Sequence, residues 1–147
     1  MKVISIVGEK KSGKTSLIEY LITHLKEYGK VGCIKHAHDL DFSASMKDTD
    51  RFFNAGAEVA MGTSEQKTIK ICRGKTLMEL IEEMTNSDVD FVLVEGFKSS
   101  DLPKIALSDF NDEHTPVSKI IKRLDYSKGV EGRVKEIVEL ILSLEDY

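Results

Sequence analysis

Residues 8–15 read Gly8-Glu9-Lys10-Lys11-Ser12-Gly13-Lys14-Thr15, which fits the pattern G-x-x-x-x-G-K-[ST]. Each residue type at that spacing has a task in holding a polyphosphate. The glycines let the backbone curl until several N–H groups point inward at phosphate oxygens. The helix that the motif opens adds the partial positive charge of its first turn. Lys14 brings an ammonium between the β- and γ-phosphates. The Thr15 hydroxyl reaches a magnesium ion, a hard cation that takes oxygen ligands and keeps several waters. The binding stretch runs from Gly8 through Glu9, Lys10, Lys11, Ser12, Gly13, Lys14 and Thr15 to Ser16. Lys10 and Lys11 read as solvated charges that raise the local potential. The bland reading is a chance turn, and a strand before the motif with a helix after it is the context that argues against chance.

A second constellation is Val89-Asp90-Phe91-Val92-Leu93-Val94-Glu95-Gly96. The apolar run makes a rigid strand, and the acid at its tip faces the magnesium or polarises an attacking water, as in the Walker B element. Gly96 lets backbone approach a γ-phosphate closely. The competing reading is an ordinary strand end with a solvated Glu95. Asp90 reads as a surface charge at strand entry.

A third segment, Lys35-His36-Ala37-His38-Asp39-Leu40-Asp41, allows three readings. His36, His38, Asp39, Asp41 and nearby Cys33 are all metal-ligand types, although no second cluster accompanies them and Cys72 falls in a different expected strand. Alternatively, the segment senses the γ-phosphate, with Asp39 or Asp41 holding a magnesium-bound water. A polar loop with satisfied side chains is the third.

These groups need elements to carry them. Residues 2–7 are short, β-branched and stopped by Gly8, so they read as a buried strand. Residues 14–28 read as a helix with Leu17, Leu21, His24, Leu25 and Tyr28 at helical spacing and Gly29 as its stop. Residues 30–35 read as a second strand, and residues 50–55 as a short helix closed by Gly56. Residues 58–63 and 67–72 read as strands about a polar turn, with a capacity to pair across two copies of the chain. Thr76 is a plausible N-cap, with Glu79 as capping-box partner, for a helix through Met84. Residues 89–94 are the most apolar strand, residues 105–107 a further strand, and residues 118–121 have no clear pattern. Residues 130–144 form the closing helix, with Val134, Ile137, Val138, Ile141 and Leu142 on one face.

Strands alternating with helices imply an α/β, three-layer fold with a mostly parallel central sheet flanked by helices, in one nucleotide-binding domain spanning residues 1–147. Ligands in such sheets bind beyond the carboxyl ends of the strands. Residues 8–15, 36–41 and 95–98 follow those ends, so they should meet at one site.

Composition narrows the function classes. A chain of 147 residues fits one domain able to bury a sizeable core. The formal net charge of −4 lacks the basic footprint of a nucleic-acid or acidic-membrane binder. Two cysteines are too few for a disulfide framework and suit a reducing compartment. The apolar run after Met1-Lys2 is too short for a signal peptide, and no stretch approaches the roughly 20 apolar residues of a membrane span. The expectation is a soluble, cytoplasmic protein.

Four blocks together resemble the molybdopterin-guanine dinucleotide biosynthesis protein B family, MobB, a branch of the P-loop GTPases. They are residues 8–15; Ile34-Lys35-His36-Ala37-His38 with Asp41; Lys47-Asp48-Thr49-Asp50-Arg51 leading to Ala55-Gly56-Ala57; and Leu93-Val94-Glu95-Gly96-Phe97-Lys98 followed by Pro103-Lys104-Ile105. The first is shared by many families, whereas the other three together are far more specific. Asp39 stands where the family often has a second histidine, and Met46 where it often has a glycine.

The resemblance implies a homodimeric GTP-binding protein with weak, magnesium-dependent GTPase activity. Its partner would be the guanylyltransferase that attaches GMP to molybdopterin. By block matching, Lys14 and Thr15 serve phosphate and Mg2+. Asp41 and Glu95 are the acids on the magnesium side. His36, His38, Lys47, Asp48, Arg51, Lys98 and Lys104 receive no assigned role, the last five lining the functional face. Lys122-Arg123-Leu124-Asp125 shares only its final acid with the N-K-x-D guanine motif; a turn before the last helix is the alternative.

Hydrolysis would proceed by in-line attack of water on the γ-phosphate, with Lys14, the loop amides and magnesium stabilising the developing charge. The single glutamine, Gln66, lies in an expected turn and not at the site, so slow turnover is the expectation. A small-molecule kinase and a nonhydrolysing adaptor that holds nucleotide or pterin are the competing classes.

Overall fold

The computed structural model describes residues 1–37, 47–107, 110, 117–125 and 131–147. The chain divides into two compact units, Met1–His36 with Leu77–Tyr147, and Ala37–Thr76.

In the larger unit, five strands form one parallel sheet: β1 (Lys2–Val7), β2 (Val31–Lys35), β5 (Phe91–Glu95), β6 (Lys104–Leu107) and β7 (Ile120–Leu124). Their spatial order is β2-β5-β1-β6-β7. The β1 strand is central, and the chain passes from β5 on one side of it to β6 on the other. Such a reversal opens a crevice at the carboxyl end of the sheet.

Side-chain alternation sorts the strands into two buried faces. Ile4 and Ile6 of β1, Phe91 and Leu93 of β5, Ile105 and Leu107 of β6, and Leu124 of β7 pack on two helices, α1 (Lys14–Leu25) and α4 (Glu131–Leu142). Leu17, Ile18, Leu21 and Leu25 supply α1's share, and Val134, Ile137, Val138 and Ile141 supply α4's. Val3, Ile34, Val92 and Val94 point to the opposite face, where Ile81, Leu80 and Met84 of α3 (Leu77–Asn86) cover them. The near-continuous apolar strands follow from this, because a parallel sheet is covered on both sides. Gly32 lets α3 pack closely: a Cβ there would lie 2.7 Å from Met84 Sδ, so the methionine would have to move.

The far, amino-end edge of the sheet is tied by Asp90. Its carboxylate accepts the Lys30 N–H at 2.7 Å, its own N–H donates to Lys30 O at 2.9 Å, and its carbonyl accepts Lys2 N–H at 2.8 Å. Gly29 makes room for the carboxylate, since a Cβ there would lie 2.4 Å from Asp90 Oδ2. Asp90 is exposed, as expected of a surface charge at strand entry, and it also clamps β1, β2 and β5 together.

The smaller unit holds α2 (Lys47–Asn54) and an antiparallel hairpin of β3 (Val59–Thr63) and β4 (Thr68–Cys72). The two strands pair with one another in a single chain. Ala60 and Ile71 are buried, and Gly62 lies against Thr49 of α2.

Most elements agree with expectation, with three departures. The α1 helix ends at Leu25, which leaves Tyr28 beyond it and exposed; His24, in its last turn, is exposed too, and Ile18 joins the core face. The α2 helix starts at Lys47, three residues before the expected start, through a polar first turn that has no apolar period to betray it. The unpatterned residues 118–121 lead into β7, a strand with a half-buried alternating pattern. That strand contains Lys122, Arg123 and Leu124, and Asp125 follows its end.

Candidate phosphate and magnesium site

The loop of residues 8–13 leaves the carboxyl end of β1 and turns through two left-handed residues, Lys11 (φ 65°) and Gly13 (φ 89°). Glycine at position 13 takes that conformation without steric cost. The turn is closed by the Ser12 N–H, which donates to Glu9 O at 3.3 Å. Gly8 is required by packing, because a Cβ there would meet Ser12 Oγ at 2.6 Å and Leu107 Cβ at 3.1 Å. Gly13 is also the N-cap of α1 and offers no side-chain cap, and the first turn of α1 carries no acid. The positive end of a helix favours an anion.

Lys14 folds back over this loop. Its Nζ donates to Glu9 O at 2.5 Å and Gly8 O at 3.2 Å, with Ser12 Oγ at 3.5 Å. An ammonium resting on main-chain carbonyls at an open loop is a group ready to exchange those partners for a stronger one. Phosphate oxygens are stronger partners, because both members of the hydrogen bond are then charged.

Glu95 arrives from the neighbouring strand. It shares its parity with Phe91 and Leu93, so it points to the α1 face, where Thr15 begins the helix. The Thr15 hydroxyl donates to Glu95 Oε2 at 3.3 Å. These two oxygens converge as ligands of a hard cation do, and a carboxylate plus a hydroxyl suits magnesium, which draws its remaining ligands from water and phosphate. Lys35 of β2, directly beside Glu95 in register, places its Nζ 3.6 Å from the same Oε2. Sequence reasoning gave Lys35 no role, because the pairing of β2 with β5 is a tertiary fact.

Gly96 follows with φ 95°, held by its N–H to Ile6 O at 3.1 Å and by Ser5 Oγ donating to its carbonyl at 2.7 Å. A Cβ at Gly96 would lie 3.3 Å from His36 Cβ, so strain and contact both favour glycine there. The His36 ring stacks on Phe97 with centroids 4.6 Å apart, and the His36 main-chain N–H donates to Glu95 O at 2.9 Å. Lys98 lies over Phe110, 4.8 Å from the ring centroid, and 3.8 Å from Glu9 Oε1. It therefore offsets the one acid of the phosphate loop.

Glu9, Lys10, Lys11, Thr15 and Ser16 are exposed, and Ser12, Gly13 and Lys14 are half-buried. His38, Asp39 and Asp41 lie outside the described residues, as does any contact they make. Among the described residues, no group of three or more His, Cys, Asp and Glu side chains converges as a metal site. Asp48 and Arg51 form an exposed pair at 3.5 Å on α2. Among the described residues, no helix is long and apolar enough to cross a membrane.

One expectation fails. Lys104 was placed on the functional face, yet its side chain is fully buried. Its ammonium donates to Leu102 O at 2.9 Å, Ser118 O at 3.2 Å and Ser100 O. Burial pushes its pKa down, with Asp101 opposing in part. It pins the turn before β6 to the residues before β7 and presents no charge to a ligand.

Comparison with known proteins fits this picture. Residues 3–124 match the family described as molybdopterin guanine dinucleotide synthesis protein B, MobB. A Methanocaldococcus jannaschii protein is 33% identical over 95% of this chain and 62% of its own length. An Escherichia coli protein named molybdopterin-guanine dinucleotide biosynthesis adapter protein is 34% identical over 76% of this chain and 68% of its own. This chain thus spans under two thirds of the first relative and about two thirds of the second. The crystal structure of a MobB homologue from Bacillus stearothermophilus superposes with a TM-score of 0.68 at 19% identity, covering 98% of this chain and all of that one. That likeness establishes the fold: a mostly parallel sheet flanked by helices. With the family pattern running from Val3 to Leu124, the chain is a member of the MobB family.

Proposed function

We propose that this chain is a GTP-binding accessory protein with slow, magnesium-dependent GTPase activity, acting in the cytoplasm in the assembly of molybdopterin guanine dinucleotide. The observation that carries the reading is the convergence of Lys14, Thr15 and Glu95 at the carboxyl ends of β1 and β5, with Thr15 and Glu95 3.3 Å apart. The whole chain works as one nucleotide-binding domain and as a homodimer. Its partner is the guanylyltransferase that joins GMP to molybdopterin; the adapter role named for the Escherichia coli relative supports this.

In this reading Lys14 releases the carbonyls of Gly8 and Glu9 and takes phosphate oxygens. The main chain of residues 8–16 and the helix terminus hold the remaining phosphate charge. Thr15 and Glu95, with Asp41 as a further acid, hold Mg2+. When bound, magnesium neutralises charge on the phosphates and favours their cleavage. Glu95 also orients water near the γ-phosphate. Its preference for guanine rests on the family alone.

Calorimetry with GTP and ATP, with and without Mg2+, tests the reading on wild type and Lys14→Ala. Expected is tight Mg-GTP binding, weaker ATP binding, and loss of most phosphate affinity in the variant. Equal triphosphate affinity in wild type and Lys14→Ala would overturn the site assignment.

A further inference from the structure

Resting on the reading of Glu95 as a magnesium-side acid, we propose that Lys35 is a built-in substitute cation. It occupies Glu95 in the nucleotide-free protein and makes metal binding conditional on nucleotide. Three observations carry the idea. First, Lys35 and Glu95 are register neighbours on β2 and β5, so their side chains emerge on the same face at the carboxyl end of the sheet. Second, the Lys35 ammonium contacts Oε2, the oxygen that also accepts the Thr15 hydroxyl. The ammonium therefore competes for the oxygen that a cation beside Thr15 would need. Third, the Glu95 side chain is only 14% exposed whereas that of Lys35 is 56% exposed. The acid is shielded, while the cation extends into solvent and can leave at little cost.

The electrostatics set the order of events. A carboxylate with an ammonium at contact distance offers little net charge to free Mg2+, which must also shed tightly held water. A triphosphate on the loop changes the balance. Its negative charge draws Lys35 away from Glu95 and supplies oxygens of its own, so metal and nucleotide enter together. Each then raises the affinity of the other by the same factor, as linkage requires. Lys35 is thus a positioning residue that sets metal–nucleotide coupling.

The test uses Mn2+ as the probe, with binding read by electron paramagnetic resonance on the full chain. In nucleotide-free protein, Lys35→Met should bind Mn2+ about tenfold more tightly than wild type, or about 1.4 kcal/mol. Lys35→Arg should restore weak binding, which a merely structural role for the lysine stem would not predict. With GTP bound, Mn2+ affinity should be alike in Lys35→Met and wild type, so the coupling between the two ligands shrinks about tenfold in the variant. Glu95→Gln, alone or added to Lys35→Met, separates this idea from the reading beneath it. If Glu95→Gln weakens Mn2+ binding but Lys35→Met leaves it unchanged, Glu95 keeps its role and the Lys35 proposal falls. If Glu95→Gln has no effect in either background, the magnesium-side role of Glu95 falls and takes the proposal with it.

Discussion

Two lysines of this chain, Lys14 and Lys104, both rest their ammonium groups on main-chain carbonyls, and they do opposite things. Lys14 holds Gly8 O and Glu9 O from a half-buried position on an open loop. Lys104 holds carbonyls of Ser100, Leu102 and Ser118 with no exposure to solvent. A cage open on one side lets a polyanion replace the carbonyls. A sealed cage fixes three chain segments and admits nothing. What separates a binding lysine from a structural one is therefore access to the cage, since the cage chemistry is much the same.

The largest effect expected from this contrast is on stability. Lys104→Ala strands three carbonyls and leaves a void, so it should cost about 3 kcal/mol in urea unfolding while changing GTP affinity less than about threefold. Next is affinity: Lys14→Ala should weaken Mg-GTP about 100-fold, roughly 2.7 kcal/mol, and change stability by under about 1 kcal/mol. A variant pair with these effects exchanged would break the comparison.

Sharpening it further, Glu95→Gln should raise the magnesium concentration needed for half-maximal GTP hydrolysis about tenfold, roughly 1.4 kcal/mol, with a smaller effect on metal-free nucleotide binding. The smallest effect is a pH slope. Burial depresses the Lys104 pKa in the fold, so between that value and the ordinary lysine value of 10.5 the unfolded chain binds more protons. Stability from this group then rises with pH, whereas below both values its cost is fully present. The difference in unfolding free energy between wild type and Lys104→Met should therefore shift in favour of wild type as alkaline pH is approached.

Where one strand or one loop was enough, the sequence could be read directly. The β1 strand and the 8–15 loop are marked by an apolar run that ends at glycine, and the tip position of Glu95 followed from its strand. Where two distant segments had to be aligned, it could not. Nothing local in Lys35 says that β2 lies beside β5, so its place at Glu95 was invisible. Lys104 was misread for a related reason. Matching the family's blocks put it on the functional face, and block matching does not show the carbonyls that receive the side chain, one of them 14 residues away. Asp90 is the surface charge that its strand-entry position suggests, but its further role as an acceptor depends on Lys30, 60 residues earlier.

The Asp90 clamp has a consequence at the other end of the sheet. A strand shifted by one residue turns every side chain to the opposite face. By tying Lys30 to Asp90, the clamp sets the alignment of β2 on β5 just before its first rung, and five residues later, about 16 Å on, that alignment delivers Lys35 beside Glu95. A carboxylate that never meets nucleotide thus acts as the zero mark of a ruler. Lengthening the chain between Lys30 and Val31 by one residue would put an apolar side chain where the ammonium now stands.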